Sequence, residues 1–128
     1  MLDRHPPLWA EVDLAALAHN CLEVKKCLEP QTEFMAVVKA DGYAHGAVQV
    51  ARTALDHGAD RLGVARLQEA ITLRRAGLNV PILIFGHTSP DSVQALAELG
   101  LTQTVYDFDY AQALSRAAPS QAVQAAQR

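Results

Sequence analysis

Residues 34–46 read FMAVVKADGYAHG, and Lys39, Tyr43 and His45 fall within this short stretch. An apolar run, Phe34 to Val38, stops abruptly on the lysine. A lysine amine kept partly neutral by its neighbours or by desolvation attacks carbonyls and forms Schiff bases. The segment Ala40–Gly46 is short and glycine-containing, so its backbone and the Tyr43 hydroxyl could approach a small ligand closely. On residue type alone, the same side chains also suit a solvated cap on a strand, a rim tyrosine and a capping or packing histidine. His5, His19, His57 and His87 show no HExxH or other ligand spacing, so no metal site is expected. Cys21 and Cys27 form no CxxC and would lie on different faces of a helix. They read as small buried thiols in a reducing compartment.

The elements that must position Lys39 follow from periodicity. Leu14, Leu17, Cys21, Val24 and Leu28 recur at helical spacing, with Asp13 placed as an N-cap and Glu29-Pro30 as a stop. Residues 34–39 then form a run suited to a strand buried on both faces, as in a parallel sheet. Ala47, Val48, Ala51, Ala54 and Leu55 mark a second helix, closed by Gly58. The alternation continues through a strand at 61–65 (RLGVA), a helix ending near Gly77 and a strand at 80–85 (VPILIF). Ser89-Pro90-Asp91 signals a helix start, with Ser89 as N-cap and Pro90 at the first helical position. That helix stops at Gly100, a fourth strand is expected at 101–106 (LTQTVY), and a last helix at about 109–117. The tail after Pro119 could add a further helical turn or two.

This order is one helix followed by four β–α units. Alternating elements imply an α/β class with parallel strands and right-handed crossovers. The spacing fits a TIM barrel or an open doubly wound sheet. No GxGxxG or P-loop is present, which removes the common nucleotide-binding reading of an open sheet. A complete barrel has eight strands and about 250 residues; four strands make half of one. In either architecture the chemistry sits at the C-terminal ends of the strands, where Lys39 is expected.

Composition narrows the partners. The chain has 128 residues, 50% hydrophobic, with a formal net charge of -3. No basic run or stripe is present, so nucleic acid is not an expected partner. No apolar stretch approaches the roughly 18 residues that span a bilayer. The start, MLDRHPPLW, lacks a signal-peptide core, and a cytoplasmic protein is expected.

AVVKADGYAHG closely resembles the pyridoxal-phosphate signature of bacterial alanine racemases, whose usual form is AVVKANAYGHG. Four further stretches resemble the same family's N-terminal barrel: WAEVDLAAL (9–17), VQVARTALDHGADRLGVA (48–65), EAITLRRAG (69–77) and PILIFG (81–86). The similarity keeps register over nearly the whole chain and thins after about residue 107. Asp41 stands where asparagine is usual, and Gly42-Tyr43-Ala44 replaces alanine-tyrosine-glycine. Lysine and tyrosine stay four residues apart.

The resemblance implies a (β/α)8 barrel, of which residues 1–128 form the N-terminal half as a single incomplete domain. It implies pyridoxal 5'-phosphate as cofactor, held by Lys39 through a Schiff base, with Tyr43 bonding the cofactor phosphate. Val37, Leu83 and Phe85 would line the pocket beside the cofactor; Phe85 replaces a commonly aliphatic residue. The implied reaction is interconversion of L-alanine and D-alanine, supplying D-alanine for peptidoglycan. Lys39 would be the catalytic base on one face of the α-carbon. The family's second base, a tyrosine from the C-terminal β domain of the partner subunit, has no counterpart in these residues. Neither has the arginine that contacts the pyridine nitrogen. The resemblance therefore implies a homodimer for the full-length enzyme and an inactive fragment for this chain alone. A broad-specificity amino-acid racemase of the same fold remains an alternative. So does a non-catalytic half-barrel that binds pyridoxal phosphate or assembles with another half.

Overall fold

A computed structural model describes residues 8–118. Helix α1 (Leu14–Lys26) starts where Asp13 accepts hydrogen bonds from the Ala15 and Ala16 amides, at 2.9 and 3.0 Å. Four short strands follow: β1 (Met35–Val37), β2 (Arg61–Val64), β3 (Ile82–Ile84) and β4 (Thr102–Gln103). They form one parallel sheet in the order β1-β2-β3-β4, so each strand pairs with its neighbours in sequence. Between them run α3 (Ala47–Asp56), α4 (Leu67–Arg75) and α5 (Val93–Glu98), and α6 (Phe108–Ala117) follows β4. Strand order that follows the chain with no switch is the arrangement of half a (β/α)8 barrel, as the family resemblance implies, and not of a doubly wound sheet, the other reading that the alternation of elements left open.

The register explains the burial. Ala36, Leu62 and Ile82 lie side by side, and Val64 beside Ile84. This outer face is buried with Ala51, Ala54, Ala70 and Leu73 of α3 and α4 in one core. Fully burying each of the large aliphatic side chains contributes about 1.5–3 kcal/mol. The alanines at 47, 51 and 54 keep the α3 face flat, so its backbone can lie close to the sheet. The opposite face carries Val37, Gly63, Leu83 and Thr102 in one row, with Met35 and Arg61 below. In a closed barrel this is the interior; here it is half-open, with Val37 38% and Phe85 39% exposed.

Several expectations from the sequence are corrected. β1 covers 35–37, not 34–39. Val38 adds one more ladder bond to the Gly63 carbonyl, and the backbone then turns left-handed. β4 is two residues long: Thr104 still donates to the Ile84 carbonyl, after which Tyr106 leaves the sheet to stack on Tyr110. The Ser89-Pro90 start opens a 3-10 turn at Pro90–Ser92, with α5 beginning only at Val93. The last helix starts at Phe108, one residue before the expected start, because Asp107 caps it by accepting from the Tyr110 amide. Cys21 is buried, but Cys27 is exposed at the end of α1. Leu14 and Val24, expected on the buried stripe, are also exposed. The tail after Pro119 and His5 lie outside the described residues.

Candidate functional site

Lys39 directly follows the last ladder bond of β1, at the C-terminal end of the sheet. It is half-buried and makes no hydrogen bond or ion pair with any described residue. From Ala40 to Ala44 every φ is positive, between 51° and 64°, and only Gly42 among the five is a glycine. This segment (α2, Lys39–Ala44) is thus a left-handed turn. L-residues avoid this conformation at a cost of roughly 1–2 kcal/mol each. Four non-glycine residues pay it together, so the surrounding structure must over-determine the turn.

The bonds that do so can be traced. Gly42 donates to the Val38 carbonyl at 2.9 Å, and Gly46 to the Asp41 carbonyl at 2.9 Å. The His45 ring closes back on its own turn, Nδ1 donating to the Tyr43 carbonyl at 2.7 Å. Asp41 accepts from the Ala47 amide at 2.8 Å and so caps α3, whose own N-cap residue Gly46 has no side chain to do it. A carboxylate there also faces the positive end of the helix dipole. From α4, Glu69 accepts from the Ala40 amide at 2.7 Å with one oxygen. Its other oxygen accepts from Ala65 and Arg66 at 2.7 and 3.0 Å.

The structure brings some of the expected site residues together and not others. Val37 and Tyr43 share a cleft of about 480 Å³ with Glu11, Asp13, Asn20 and His45. Tyr43 is 56% exposed, and its hydroxyl has no partner among the described residues. Lys39 does not line that cleft; β1 ends at Val37, so strand alternation does not carry on to residue 39. Leu83 is half-buried on the inner face of β3, next to Gly63 and one strand further from Val37. The Phe85 ring lies over Gly63: a Cβ built there would meet Phe85 Cζ at 2.6 Å and Met35 Sδ at 3.0 Å. Val37, Phe85 and Leu83 thus form an apolar floor at the sheet end that carries Lys39.

The sequence alone did not reveal two parts of this arrangement. Glu69 follows the N-cap position of α4 by three residues, the spacing of a carboxylate that reaches back to a helix start. Its reach to Ala40, 29 residues away, has no local signal. The second part is a cluster at the ends of β3 and β4. His87 Nδ1 lies 2.7 Å from the Tyr106 hydroxyl. The Tyr110 hydroxyl donates to the Thr88 carbonyl and accepts from its amide, at 2.8 and 3.1 Å. Desolvation, followed by Asp107 and Tyr110, pushes the Tyr106 hydroxyl above its ordinary pKa.

A parallel half-barrel with an unpaired lysine at the end of its first strand defines a class, the barrel proteins that carry their chemistry at the strand C-termini. The sequence profile of one family, described as "Alanine racemase, N-terminal domain", matches residues 12–126. The chain belongs to that family. The alanine racemase of Desulforamulus reducens is 55% identical over 109 residues, covering 85% of this chain and 30% of the relative. Among solved structures, an alanine racemase from Clostridium difficile 630 superposes with a TM-score of 0.83 at 36% identity, covering 90% of this chain and 30% of that one. The alanine racemase from Bacillus anthracis, solved with bound L-Ala-P, gives a TM-score of 0.80 at 37% identity, over 88% of this chain and 30% of that one. The chain thus spans about 30% of the length of these relatives.

Proposed function

We propose that these residues are the cofactor-lysine half of the barrel of a pyridoxal-phosphate-dependent alanine racemase, which interconverts L-alanine and D-alanine. The observation that carries this reading is Lys39: an amine free of described partners, at a β-strand C-terminus, on a turn clamped from three sides. The residues fit the cofactor. An unpaired amine suits covalent attachment of an aldehyde, the unpartnered Tyr43 hydroxyl suits a phosphate oxygen, and Val37, Leu83 and Phe85 offer apolar surface for a ring. Bound pyridoxal phosphate supplies an electron sink that makes the substrate α-proton removable. Lys39 then serves as the proton acceptor and donor on one face of the α-carbon.

Racemisation also needs a proton acceptor on the opposite face. We assign that group, and the remainder of the barrel, to sequence beyond these 128 residues. Residues 1–128 are then one incomplete domain and inactive alone, and the complete enzyme is a homodimer. The half-open inner sheet face supports a missing barrel half: Val37 and Phe85 are 38% and 39% exposed, apolar surface that a covering half would remove from water. The test is chiral analysis of alanine turned over by the complete enzyme. Lys39→Ala is expected to lower the rate by about a thousand-fold or more, within the range for loss of a positioned acid–base group. A variant retaining its rate removes the reading.

A further inference from the structure

Glu69 lies in α4, outside the motif that carries Lys39, yet its carboxylate is the acceptor for the first amide beyond the lysine. Ala40 begins the left-handed turn, and its N–H has left the β1 ladder, so its acceptor comes from elsewhere. Glu69 Oε1 supplies it at 2.7 Å, while Oε2 holds the Ala65 and Arg66 amides just past the end of β2. One side chain therefore ties the C-terminal ends of β1 and β2 together beyond their last ladder bond. We propose that Glu69 is the positioning residue of Lys39, fixing the peptide from which the cofactor lysine is launched. This rests on the assignment of Lys39 as that lysine.

No ion pair joins Glu69 to Lys39 among the described contacts, so the effect runs through the backbone. Charge-assisted bonds from amides to a carboxylate are among the stronger hydrogen bonds. Glutamine keeps one accepting oxygen but turns an NH2 toward the other donors, so it can satisfy only one side of the bridge. Alanine satisfies neither.

Three readouts test this in the full chain. Amide exchange comes first: Ala40 must be strongly protected in the unsubstituted protein, and a rapidly exchanging Ala40 overturns the proposal without any variant. Next, pyridoxal phosphate with borohydride is mapped by peptide on Glu69→Gln and Glu69→Ala. Labelling at Lys39 should fall at least tenfold for alanine and by less for glutamine, with labelling at Lys25 and Lys26 unchanged. Arg74→Ala, which loosens loops away from the motif, is the control for stability alone and should keep its preference for Lys39. If Glu69→Ala does not fold, Glu69→Gln is judged in the same way. A folded Glu69 variant that labels Lys39 as fast as the parent overturns the positioning role. Failure of the unsubstituted protein to label Lys39 instead overturns the cofactor assignment on which the proposal rests.

Discussion

At the scale of single residues, the left-handed turn is where sequence and conformation disagree most. Five consecutive residues adopt positive φ, and only Gly42 does so at no steric cost. Ala44→Gly should relieve strain at φ 64° and stabilise the fold by about 0.5–1 kcal/mol, after the entropy cost of glycine; urea unfolding measures it. A loss of stability would mean the Ala44 side chain makes a contact worth more than the strain. Asp41→Asn keeps the acceptor for Ala47 and should be nearly neutral, whereas Asp41→Ala should cost about 1 kcal/mol, as for other lost helix caps. A pH effect belongs here too. Asp60 is held below the ordinary carboxylate pKa, first by the Phe34 amide and then by Lys25. A depressed folded value means the stabilisation is full above the unfolded value of about 3.9 and is lost as pH falls through the lower folded one. Asp60→Asn should therefore melt earlier than the parent at neutral pH, with the gap closing in acid. A gap independent of pH would contradict this.

At the scale of elements, the parts legible in the sequence are those set by local rules. Asp13 caps α1 as its position implied, and the alanine spacing of α3 gave its buried face. The strands lie within the apolar runs but are shorter than them, because apolar character continues after pairing has stopped. Val38 is 1% exposed yet lies past the end of β1. The left-handed turn was invisible, since an Ala-Asp-Gly-Tyr-Ala sequence does not by itself favour positive φ. Long-range bonds were equally hidden. Arg74 donates to the carbonyls of Leu78, Val80, Leu99 and Gly100 at 2.6–3.0 Å, stitching the loops before β3 and β4 to α4. Burial lowers its pKa from the ordinary value, and the guanidinium stays charged. Arg74→Ala leaves those carbonyls unpaired and should cost about 2–3 kcal/mol. It should be read as a lower urea midpoint at unchanged slope. A cost below about 0.5 kcal/mol, the range of ordinary surface substitutions, would show that water replaces the guanidinium.

At the scale of the whole molecule, one sheet face is sealed by helices and the other is not. β1 and β4 each pair on one side only among the described residues. Unpaired parallel edges and a half-open apolar face favour association. The 128-residue chain should bind a hydrophobic dye and self-associate with rising concentration in gel filtration. A dye-free monomer at all concentrations would mean that the inner face is already covered. The candidate site was legible as a motif and not as a geometry. Lys39 and Tyr43 stood out by resemblance, whereas Glu69 contributes through the β1–β2 junction, which exists only once the sheet has formed.

The most direct test of the central claim is to treat the purified chain with pyridoxal phosphate, reduce with borohydride and map the modified peptides. A single stoichiometric adduct on Lys39, lost in Lys39→Ala, is the expected result. Labelling spread equally over Lys25, Lys26 and Lys39 would contradict it, because the clamped turn would then confer nothing on the lysine it carries.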